Sequence, residues 1–387
     1  MNSEKQRFPY LAPRRVLFAA QFPPPVGGQN IVRQRMFRSL VADPEIEAVH
    51  LDMPFVSSFS QARKASLGKL WALIGVIVRA LHLRRKGKFD LLMYPAGGPQ
   101  TVPMVRDILL LPILMTLADR TIVNFHAAGI EERLAERRGI LERLLKKVYS
   151  RVAVGVVMTA YNRRDPEALG VGSVLTIPHH LKDENVAKLM PDFSHTATPR
   201  FVYLGHLYGL KGTPQLIEAF ARVLHDYPDA KLCLIGEFVA PYSAEAFRKD
   251  VLARGIEDAV EWIGALSGEK KWQHLRKNNC FVFPSVAPYE SFGLVVVEAM
   301  MFGLPLLVSD WRGNNDVVGE NFGGILFPVT PSLADGIEFS LRGALKNRSL
   351  WKKWGDDNRM IYENRYRATG DCEDYVSWVR RSFWPEE

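Results

Sequence analysis

The chain has 387 residues, of which 47% are hydrophobic, 11% aromatic and 24% charged. This composition excludes disordered, collagen-like and low-complexity proteins, and the length suits two or three globular domains. Residues 1–190 contain 28 Lys or Arg and 16 Asp or Glu, a net charge of +12, and residues 191–387 carry −4 of the total of +8. The basic half suits an anionic membrane, an acidic acceptor or nucleic acid, or is simply a solvated basic surface.

Several classes of protein are disfavoured by missing motifs. Three cysteines are too few for a disulfide scaffold, and none lies in a Cys-x-x-Cys pair or a Cys/His cluster, so we expect no zinc site. Cys233 and Cys280 lie in apolar runs and are expected to be buried thiols. No helix-turn-helix, zinc-finger or RRM motif points to nucleic acid, and the first residues lack the apolar stretch of a signal peptide.

Short apolar strands alternate with amphipathic helices along the first half of the chain. Strands are predicted at residues 15–21, 89–94, 121–125 and 154–158, and a helix is predicted at about residues 29–41. Each strand is a nearly continuous apolar run, which is the pattern of a parallel sheet covered on both faces. The intervening helices therefore indicate βαβ units and a doubly wound sheet.

Two apolar segments are considered as membrane spans. Residues 67–83 contain three basic side chains, and residues 109–118 are too few and include Pro112. A spanning helix needs about 20 mostly apolar residues, so we expect both segments to be buried helices of an α/β layer. The alternative for the first segment is a contact with the membrane surface, because basic residues 84–88 follow it directly.

The alternation restarts after a polar linker at residues 177–200. Further strands are predicted at 201–205, 231–236, 260–264, 280–284 and 305–309, with helices near 213–227, 243–254, 268–278 and 292–303. The predicted fold is therefore α/β, with two tandem Rossmann-like domains at residues 1–190 and 191–365 facing each other across a cleft. A C-terminal helix in residues 366–387 is expected to pack back towards the N-terminal domain.

Two loops at predicted strand-to-helix corners suit a phosphorylated ligand. The first, Val26–Asn30 (VGGQN), follows the first strand, and its glycines let a phosphate approach the N–H groups of the next helix. The second, Gly205–Gly212 (GHLYGLKG), holds Lys211 between glycines, where it is able to neutralise a diphosphate. Each loop alone is also compatible with an ordinary turn, and the first is not the GxGxxG of a dinucleotide site.

The most specific motif is the segment Phe283–Met300, which carries two glutamates. Glu290 lies before a predicted helix, and Glu298 is placed about two turns into it. Glu290 is suited to accept hydrogen bonds from sugar hydroxyls, while the amides of Ser291–Leu294 point at an anion. Glu298 lies in an otherwise apolar helix, where a carboxylate needs a partner such as a ribose diol, unless it faces solvent or pairs with a nearby Lys or Arg.

A histidine ends another predicted strand. His126 follows the run Thr121–Phe125 and precedes small residues that leave room in a cleft. An imidazole at the carboxyl end of a strand is able to donate to a sugar hydroxyl or to developing negative charge. A single histidine is more often structural, but this position favours a functional one.

Together these motifs resemble the retaining glycosyltransferases of the GT-B fold, in the large class called family four. The resemblance covers nearly the whole chain and depends chiefly on ESFGLVVVEAMMFGLPLLVSD, supported by PPPVGGQN, the His126 strand end, LYGLKG and GGILFP. It implies an N-terminal acceptor domain and a C-terminal domain that binds a nucleotide-diphosphate sugar. It also implies transfer of a hexose-type sugar to a glycan or lipid-linked acceptor, with retention of anomeric configuration.

The resemblance assigns a role to each matching residue. Lys211 would contact the donor diphosphate, His126 the transferred sugar, and Glu290 the hydroxyls of that sugar. Glu298 would bind the nucleotide ribose. The remaining donor contacts would come from the backbone of Gly28 to the distal phosphate, from Ser291, Phe292, Gly293 and Leu294 around sugar and diphosphate, and from the strand end at Trp262, Ile263 and Gly264 near the base.

Two departures from the family pattern stand out. The loop of the second domain has His206 where the family usually has the arginine of Gly-Arg-Leu. Less positive charge is then available to the diphosphate, unless another residue such as Arg312 substitutes. The usual Ile-Pro-Asn-Gly stretch near the linker has His179 and His180 at its last two positions. The first change affects donor binding, and the second affects the acceptor side or the hinge.

The mechanism implied by the resemblance is front-face displacement, in which the leaving phosphate helps to deprotonate the acceptor. No Asp-x-Asp triplet is present, so we expect no catalytic metal and no cofactor beyond the nucleotide sugar itself. The alternatives are a non-catalytic sugar-nucleotide scaffold, a GT-B sugar-nucleotide epimerase and a nicotinamide oxidoreductase, the last disfavoured by the missing GxGxxG. We expect a cytoplasmic protein at the inner face of the membrane, with no nucleic-acid partner.

Overall fold

The computed structural model describes residues 13–24, 28–55, 67–85, 87–183, 198–368 and 373–384. These residues form two parallel six-stranded sheets, each covered by helices. The strands are β1 Arg14–Ala20, β2 Ile46–Asp52, β3 Phe89–Pro95, β4 Ala118–Asn124, β5 Val154–Val157, β6 Ser173–Thr176, β7 Arg200–Leu204, β8 Lys231–Ile235, β9 Val260–Gly264, β10 Cys280–Phe283, β11 Leu306–Ser309 and β12 Gly324–Phe327.

The helices cover both faces of the sheets. They are α1 Gly28–Ala42, α2 Leu67–Arg84, α3 Thr101–Met115, α4 Ile130–Glu136, α5 Ile140–Tyr149, α6 Arg164–Ala168, α7 Thr213–Leu224, α8 Ala244–Ala253, α9 Gly268–Arg276, α10 Leu294–Met301, α11 Asn314–Val318, α12 Leu333–Lys346, α13 Trp351–Arg365 and α14 Glu373–Phe383. Because parallel strands need such crossovers, each sheet is buried on both faces. The predicted α/β fold with two Rossmann-like sheets is confirmed.

Strand order sets where a ligand is able to bind. The first sheet has the strand order β2-β1-β3-β4-β5-β6. From β1 the chain first adds a strand on one side of the sheet and then, from β3 onwards, on the other side, so the switch point lies between β1 and β3. The second has the order β12-β11-β10-β7-β8-β9, which reverses between β7 and β10. Loops that leave the carboxyl ends of the strands diverge at such a switch point and open a crevice. Each domain therefore has one favoured ligand site.

Three strands were absent from the sequence-based prediction, and all lie at sheet edges. These are β2, β6 and β12. Most of their side chains are only partly buried, and polar residues interrupt the apolar ones in β2 and β6. Strand β12 is apolar but only four residues long. The search for continuous apolar runs therefore missed three of the four edge strands and found only β9.

Helix α2 corrects the expectation that residues 67–83 are buried. Val76 and Ala80 are its fully buried residues, whereas Leu67 and Trp71 are 78% and 71% exposed. The rest of the domain therefore covers only part of the apolar surface of α2. Among the described residues, no helix is both long and apolar enough to span a bilayer. Helix α3 is buried along one face, as expected for the second segment.

The end of the chain contacts both domains. In α13, the Tyr362 hydroxyl donates to the Leu181 carbonyl at 2.7 Å, which joins the described part of the linker to the second domain. In α14, Arg380 pairs with Asp43 at 2.6 Å, beside the first sheet. Residues 184–197 of the predicted linker lie outside the described residues, so the proposed domain boundaries stay a prediction.

Candidate functional site

Two loops meet at the switch point of the second sheet. The loop after β7 carries Lys211, and the loop after β10 carries Glu290. The amide of Val286 donates to the carbonyl of Leu210 at 2.9 Å, which fixes one loop against the other. Gly212 has φ 73°, and a Cβ there would lie 2.4 Å from the Pro284 carbonyl oxygen. Only glycine allows this approach, so the glycine-bracketed loop has a specific packing role.

Lys211 and Glu290 form an ion pair between Nζ and Oε2. Their side chains are 17% and 12% exposed, so the pair lies at the mouth of the crevice but is largely shielded from water. The hydroxyl of Ser285 donates to the same carboxylate oxygen at 2.7 Å. Sequence reasoning missed Ser285, which is fully buried. The ammonium group of Lys211 and the carboxylate of Glu290 are thus held side by side.

Glu298 lies nearer the start of its helix than predicted. Because α10 begins at Leu294, Glu298 is its fifth residue, little more than one turn in. Its Oε1 accepts a hydrogen bond from Lys271 Nζ at 2.8 Å, while its buried Oε2 has no hydrogen-bond partner among the described residues. The alternative of a lysine partner is therefore correct, and one carboxylate oxygen still lacks the partner that its burial requires.

His126 is nearly enclosed, with 2% of its surface exposed. Its carbonyl oxygen accepts from Gln29 Nε2 at 2.7 Å and from Ser291 Oγ at 2.8 Å. The ring stacks on His179 with 5.7 Å between ring centroids, and His179 in turn meets the edge of Phe292 at 5.3 Å. These contacts bring one of the two linker-side histidines into the same site, a neighbour that the sequence did not reveal.

Both histidine rings are held neutral by their surroundings. Burial, aided by the positive charge of Arg33, lowers the pKa of His126 well below its usual value. Burial, with smaller effects from His180 and Arg33, lowers the pKa of His179 to about 3. At neutral pH each ring therefore offers one N–H donor and one nitrogen acceptor rather than a charge. The Nδ1 atom of His126 has no partner in the described part of the chain.

The two domains touch around this histidine. Asn162 Nδ2 donates to the Ser291 carbonyl at 2.6 Å, although no sequence motif pointed to Asn162. Arg312 pairs with Glu132 across the cleft at 2.6 Å and is 10% exposed. Because this carboxylate already neutralises Arg312, the structure gives it a bridging role. Its role as a substitute for the missing arginine stays a prediction.

The remaining predicted donor residues surround the same crevice. The carbonyl of His206 accepts from the Tyr203 hydroxyl at 2.7 Å, and burial, followed by the charge of Lys211, lowers the pKa of its imidazole. Gly293 is the N-cap of α10, with φ 63°, and the N–H of Val296 in the first turn donates to its carbonyl at 2.8 Å. Ile263 is half-buried, while Trp262 donates to the Gly236 carbonyl at 2.9 Å.

Gly28 lies on the other side of the cleft, at the start of α1. Phe292 is buried and Leu294 half-buried, so both contribute mainly through their backbone. The structure thus groups Lys211, Glu290 and the 291–294 turn at one switch point. It sets His126 against that turn from the first domain.

Two parallel, doubly wound sheets in tandem define the GT-B fold. Residues 191–360 match the family model described as "Glycosyl transferases group 1". This match covers less than half of the chain, and it agrees with the resemblance predicted from the sequence. The family segment includes Lys211, Glu290 and Glu298.

Individual relatives extend the similarity into the first domain. The chain is 30% identical over 154 residues to alpha-D-kanosaminyltransferase from Streptomyces kanamyceticus, covering 39% of each protein. It is 26% identical over 261 residues to phosphatidyl-myo-inositol mannosyltransferase from Mycobacterium tuberculosis, covering 65% of this chain and 64% of that protein. The chain thus spans about two fifths of the length of the first relative and about two thirds of the length of the second.

Solved structures share the complete fold. Sucrose-phosphate synthase from Thermosynechococcus elongatus superposes with a TM-score of 0.73 at 18% identity, covering 96% of this chain and all of that one. At this identity the similarity establishes the two-domain fold alone. The site residues and their roles must be argued from the geometry of this chain.

The lowered pKa values of His126 and His179 predict how the stability of the protein depends on pH. The pKa of His179 is about 3 in the folded protein and near 6.5 in an unfolded chain, so below pH 6.5 the unfolded chain binds more protons. The free energy of unfolding should therefore fall as the pH drops from about 6.5 towards 3. We expect a lower melting temperature at pH 5 than at pH 7.5, measured by calorimetry.

The variant His179→Gln should flatten this dependence by up to about 1.4 kcal/mol per pH unit, because one proton is no longer taken up on unfolding. His225→Gln is the matched control, since the side chain of His225 is 88% exposed. Equal slopes for the wild type and His179→Gln would contradict the burial of a neutral imidazole.

Proposed function

We propose that this protein is a retaining glycosyltransferase that moves a hexose-type sugar from a nucleotide diphosphate to a glycan or lipid-linked acceptor, without a catalytic metal. The observation that carries the proposal is the ion pair of Lys211 and Glu290 at the switch point of a domain of the group 1 family. Both curated relatives described above bear names of glycosyltransferases.

The donor would lie across the second sheet. Lys211 exchanges its contact with Glu290 for the diphosphate, whose charge is also stabilised by the first N–H groups of α10. The free Oε2 atom of Glu298 accepts from a ribose hydroxyl. The nucleotide base then lies near Ile263, at the carboxyl end of β9. Gly28 contributes an N–H group from the start of α1.

Charge compensation by Lys211 and helix amides explains how transfer proceeds without a metal. The bond between the anomeric carbon and the phosphate oxygen breaks, and the electron pair leaves with the nucleotide diphosphate. The acceptor oxygen bonds to the same face of that carbon, and its proton passes to the leaving phosphate. Glu290 holds the sugar hydroxyls instead of forming a glycosyl-enzyme, and His126 contacts the transferred sugar.

Replacing the ion pair tests the proposed chemistry. Lys211→Ala removes the charge that stabilises the leaving diphosphate, so we expect a loss of at least about 100-fold in transfer or donor hydrolysis, the size seen when one preorganised donor is lost. Glu290→Gln keeps the shape but weakens sugar positioning and should also reduce turnover strongly. Product formation is measured from labelled nucleotide sugars.

Lys231→Ala is the matched control, because this lysine lies at the opposite, amino end of β8. Circular dichroism and melting temperature establish that each variant is folded. Near-wild-type turnover in Lys211→Ala or Glu290→Gln would refute the assigned roles.

A nucleotide panel tests the donor half of the proposal. We expect the melting temperature to rise with one of UDP, GDP or ADP and with its sugar conjugate, but not with NAD. A ligand at one hundred times its dissociation constant stabilises by about 2.7 kcal/mol, which thermal-shift measurements detect. Glu298→Ala should weaken this shift because a ribose contact is lost. Glu261→Ala, at an exposed position of β9, is its control.

His206 favours a second candidate, a non-catalytic sugar-nucleotide scaffold. Burial keeps its imidazole neutral, so the crevice has less positive charge than an arginine would supply. A scaffold would bind nucleotide sugar without transferring or hydrolysing it, even with Lys211 intact. The turnover assay therefore separates this candidate from the transferase. An epimerase would instead convert the donor into a second nucleotide sugar.

The first domain presents a surface suited to a membrane. Along α2, Leu67, Trp71, Ile74 and Val78 repeat at helical spacing and are each between 42% and 78% exposed. Basic residues follow at the end of the helix, and residues 1–190 carry the positive charge of the chain. Apolar side chains flanked by cations suit the interface of an anionic bilayer. This supports a peripheral protein at the inner, cytoplasmic face of the membrane.

Vesicle binding checks the proposed membrane surface. We expect wild-type protein to sediment with vesicles containing phosphatidylglycerol at low salt and to be released as salt rises. Trp71→Ser should reduce binding, because a large apolar side chain no longer enters the interface. Phe339→Ser, which changes an equally exposed aromatic residue of the second domain, should bind as the wild type does. Equal binding by both variants would exclude α2 as the contact.

A further inference from the structure

A small hollow lies at the switch point of the first sheet, beneath α1. The carboxyl ends of β1, β3 and β4 converge there, and the lining includes Ala20, Arg33, Pro95, Asn124 and His126. Its free volume is about 10 Å³, which admits one water-sized atom. The hollow thus occupies the place where a doubly wound sheet favours a ligand, and it belongs wholly to the first domain.

Arg33 brings a charge to this hollow without a matching carboxylate. Its Nε atom is buried and has no hydrogen-bond partner in the described part of the chain. Its terminal nitrogens donate to amide oxygens at long range, 3.3 Å to Asn30 and 3.4 Å to Gln29. Both acceptors are neutral, so they leave the guanidinium charge uncompensated.

The carboxylate of Asp107 is already paired with another arginine. Asp107 pairs with Arg106 at 2.7 Å and also accepts from the hydroxyls of Tyr94 and Tyr149, each at 2.6 Å. Arg106 is therefore neutralised, whereas no carboxylate pairs with Arg33 among the described residues. Burial and the nearby charge of Arg106 lower the pKa of Arg33 to about 9. A partly buried cation without a counter-charge costs stability, and a bound anion would supply the missing charge.

His126 offers a second unused group at the same hollow. Its ring is nearly fully buried and its Nδ1 atom has no partner within the described residues. A neutral imidazole protonated at Nδ1 would donate one hydrogen bond into the hollow. Two residues that each have an unpartnered buried nitrogen, Arg33 and His126, thus line a space the size of a single oxygen atom.

We propose that Arg33 and His126 bind a phosphate group carried by the acceptor, with one phosphate oxygen in the hollow. This inference rests on the proposed glycosyl transfer, because it names the chemical class of the acceptor. A guanidinium matches the geometry of phosphate, and charge-assisted hydrogen bonds to it are strong. We assign this phosphate to the acceptor because the proposed donor site already has Lys211 as the cation for its diphosphate, and Arg33 has no part in that site.

Phosphate binding to the full-length protein tests the site directly. Inorganic phosphate, glycerol 3-phosphate and phosphatidylglycerol vesicles serve as probes, in calorimetry or sedimentation, with saturating UDP or GDP occupying the donor site. We expect at least tenfold weaker binding in Arg33→Met. Arg35→Met, at an exposed position of the same helix, should bind as the wild type does. Nucleotide affinity should be unchanged in both variants.

The same variants distinguish a ligand site from a structural role. Because Arg33 makes no ion pair within the described residues, Arg33→Met should melt at the wild-type temperature or above it. Arg33→Lys keeps a charge but lacks the guanidinium fork, and should also lose phosphate affinity. A fall in melting temperature with phosphate binding retained would overturn the proposal and assign Arg33 to the fold.

The remaining outcomes separate this inference from the proposed function. Binding of glycerol 3-phosphate lost in Arg33→Met supports a soluble phosphorylated acceptor, and vesicle binding lost in that variant supports a lipid headgroup. Weakened UDP or GDP binding in Arg33→Met would assign the residue to the donor and overturn the inference. If neither UDP nor GDP binds to the wild type, the proposed transferase is refuted. The phosphate measurement, repeated without nucleotide, still tests the role of Arg33.

Discussion

The structure depends on the geometry of two parallel sheets that are buried on both faces. In such a sheet every strand ends at the same edge, so the loops that carry polar residues are gathered on one side. The remaining surface of each strand is apolar and is covered by helices. Chemistry is therefore confined to the edge where the two domains face each other. Lys211, Glu290 and His126 all lie there, although 164 residues separate His126 from Glu290 in the chain.

Contact between the domains shapes the site as much as either domain does. The hydroxyl of Ser291 donates to the backbone of His126, and Asn162 donates to the backbone of Ser291. These hydrogen bonds hold the turn before α10 against the end of β4. His126 and the turn before α10 are thus positioned by one another. Domain closure would align a donor and an acceptor while excluding water.

Unpaired polar atoms mark where ligands would complete the structure. Glu298 has one oxygen paired with Lys271 and one oxygen without a partner, and Arg33 and His126 each have an orphaned nitrogen. Buried polar atoms are nearly always hydrogen-bonded in folded proteins. The three atoms lie on opposite sides of the cleft, where a ribose and an acceptor phosphate are proposed to bind. Under these proposals the donor and the acceptor are bound by different unpartnered atoms.

The sequence by itself determined the fold class and the positions of the motif residues. Continuous apolar runs identified the central strands, because burial on both faces leaves no room for polar side chains. The segment from Glu290 to Glu298 carried the resemblance to the family, and its local pattern placed one carboxylate before a helix and another inside it. Local patterns of this kind need no knowledge of distant contacts.

Only the tertiary structure decided which residues meet. Three of the four edge strands and the exposed face of α2 escaped prediction, because exposure depends on what covers a surface and not on the apolar pattern itself. The partners of the motif residues, Lys271, Ser285 and His179, also appeared only after folding. Their pairing comes from strand order and domain contact, which bring side chains together across long stretches of chain and leave no local signal in the sequence.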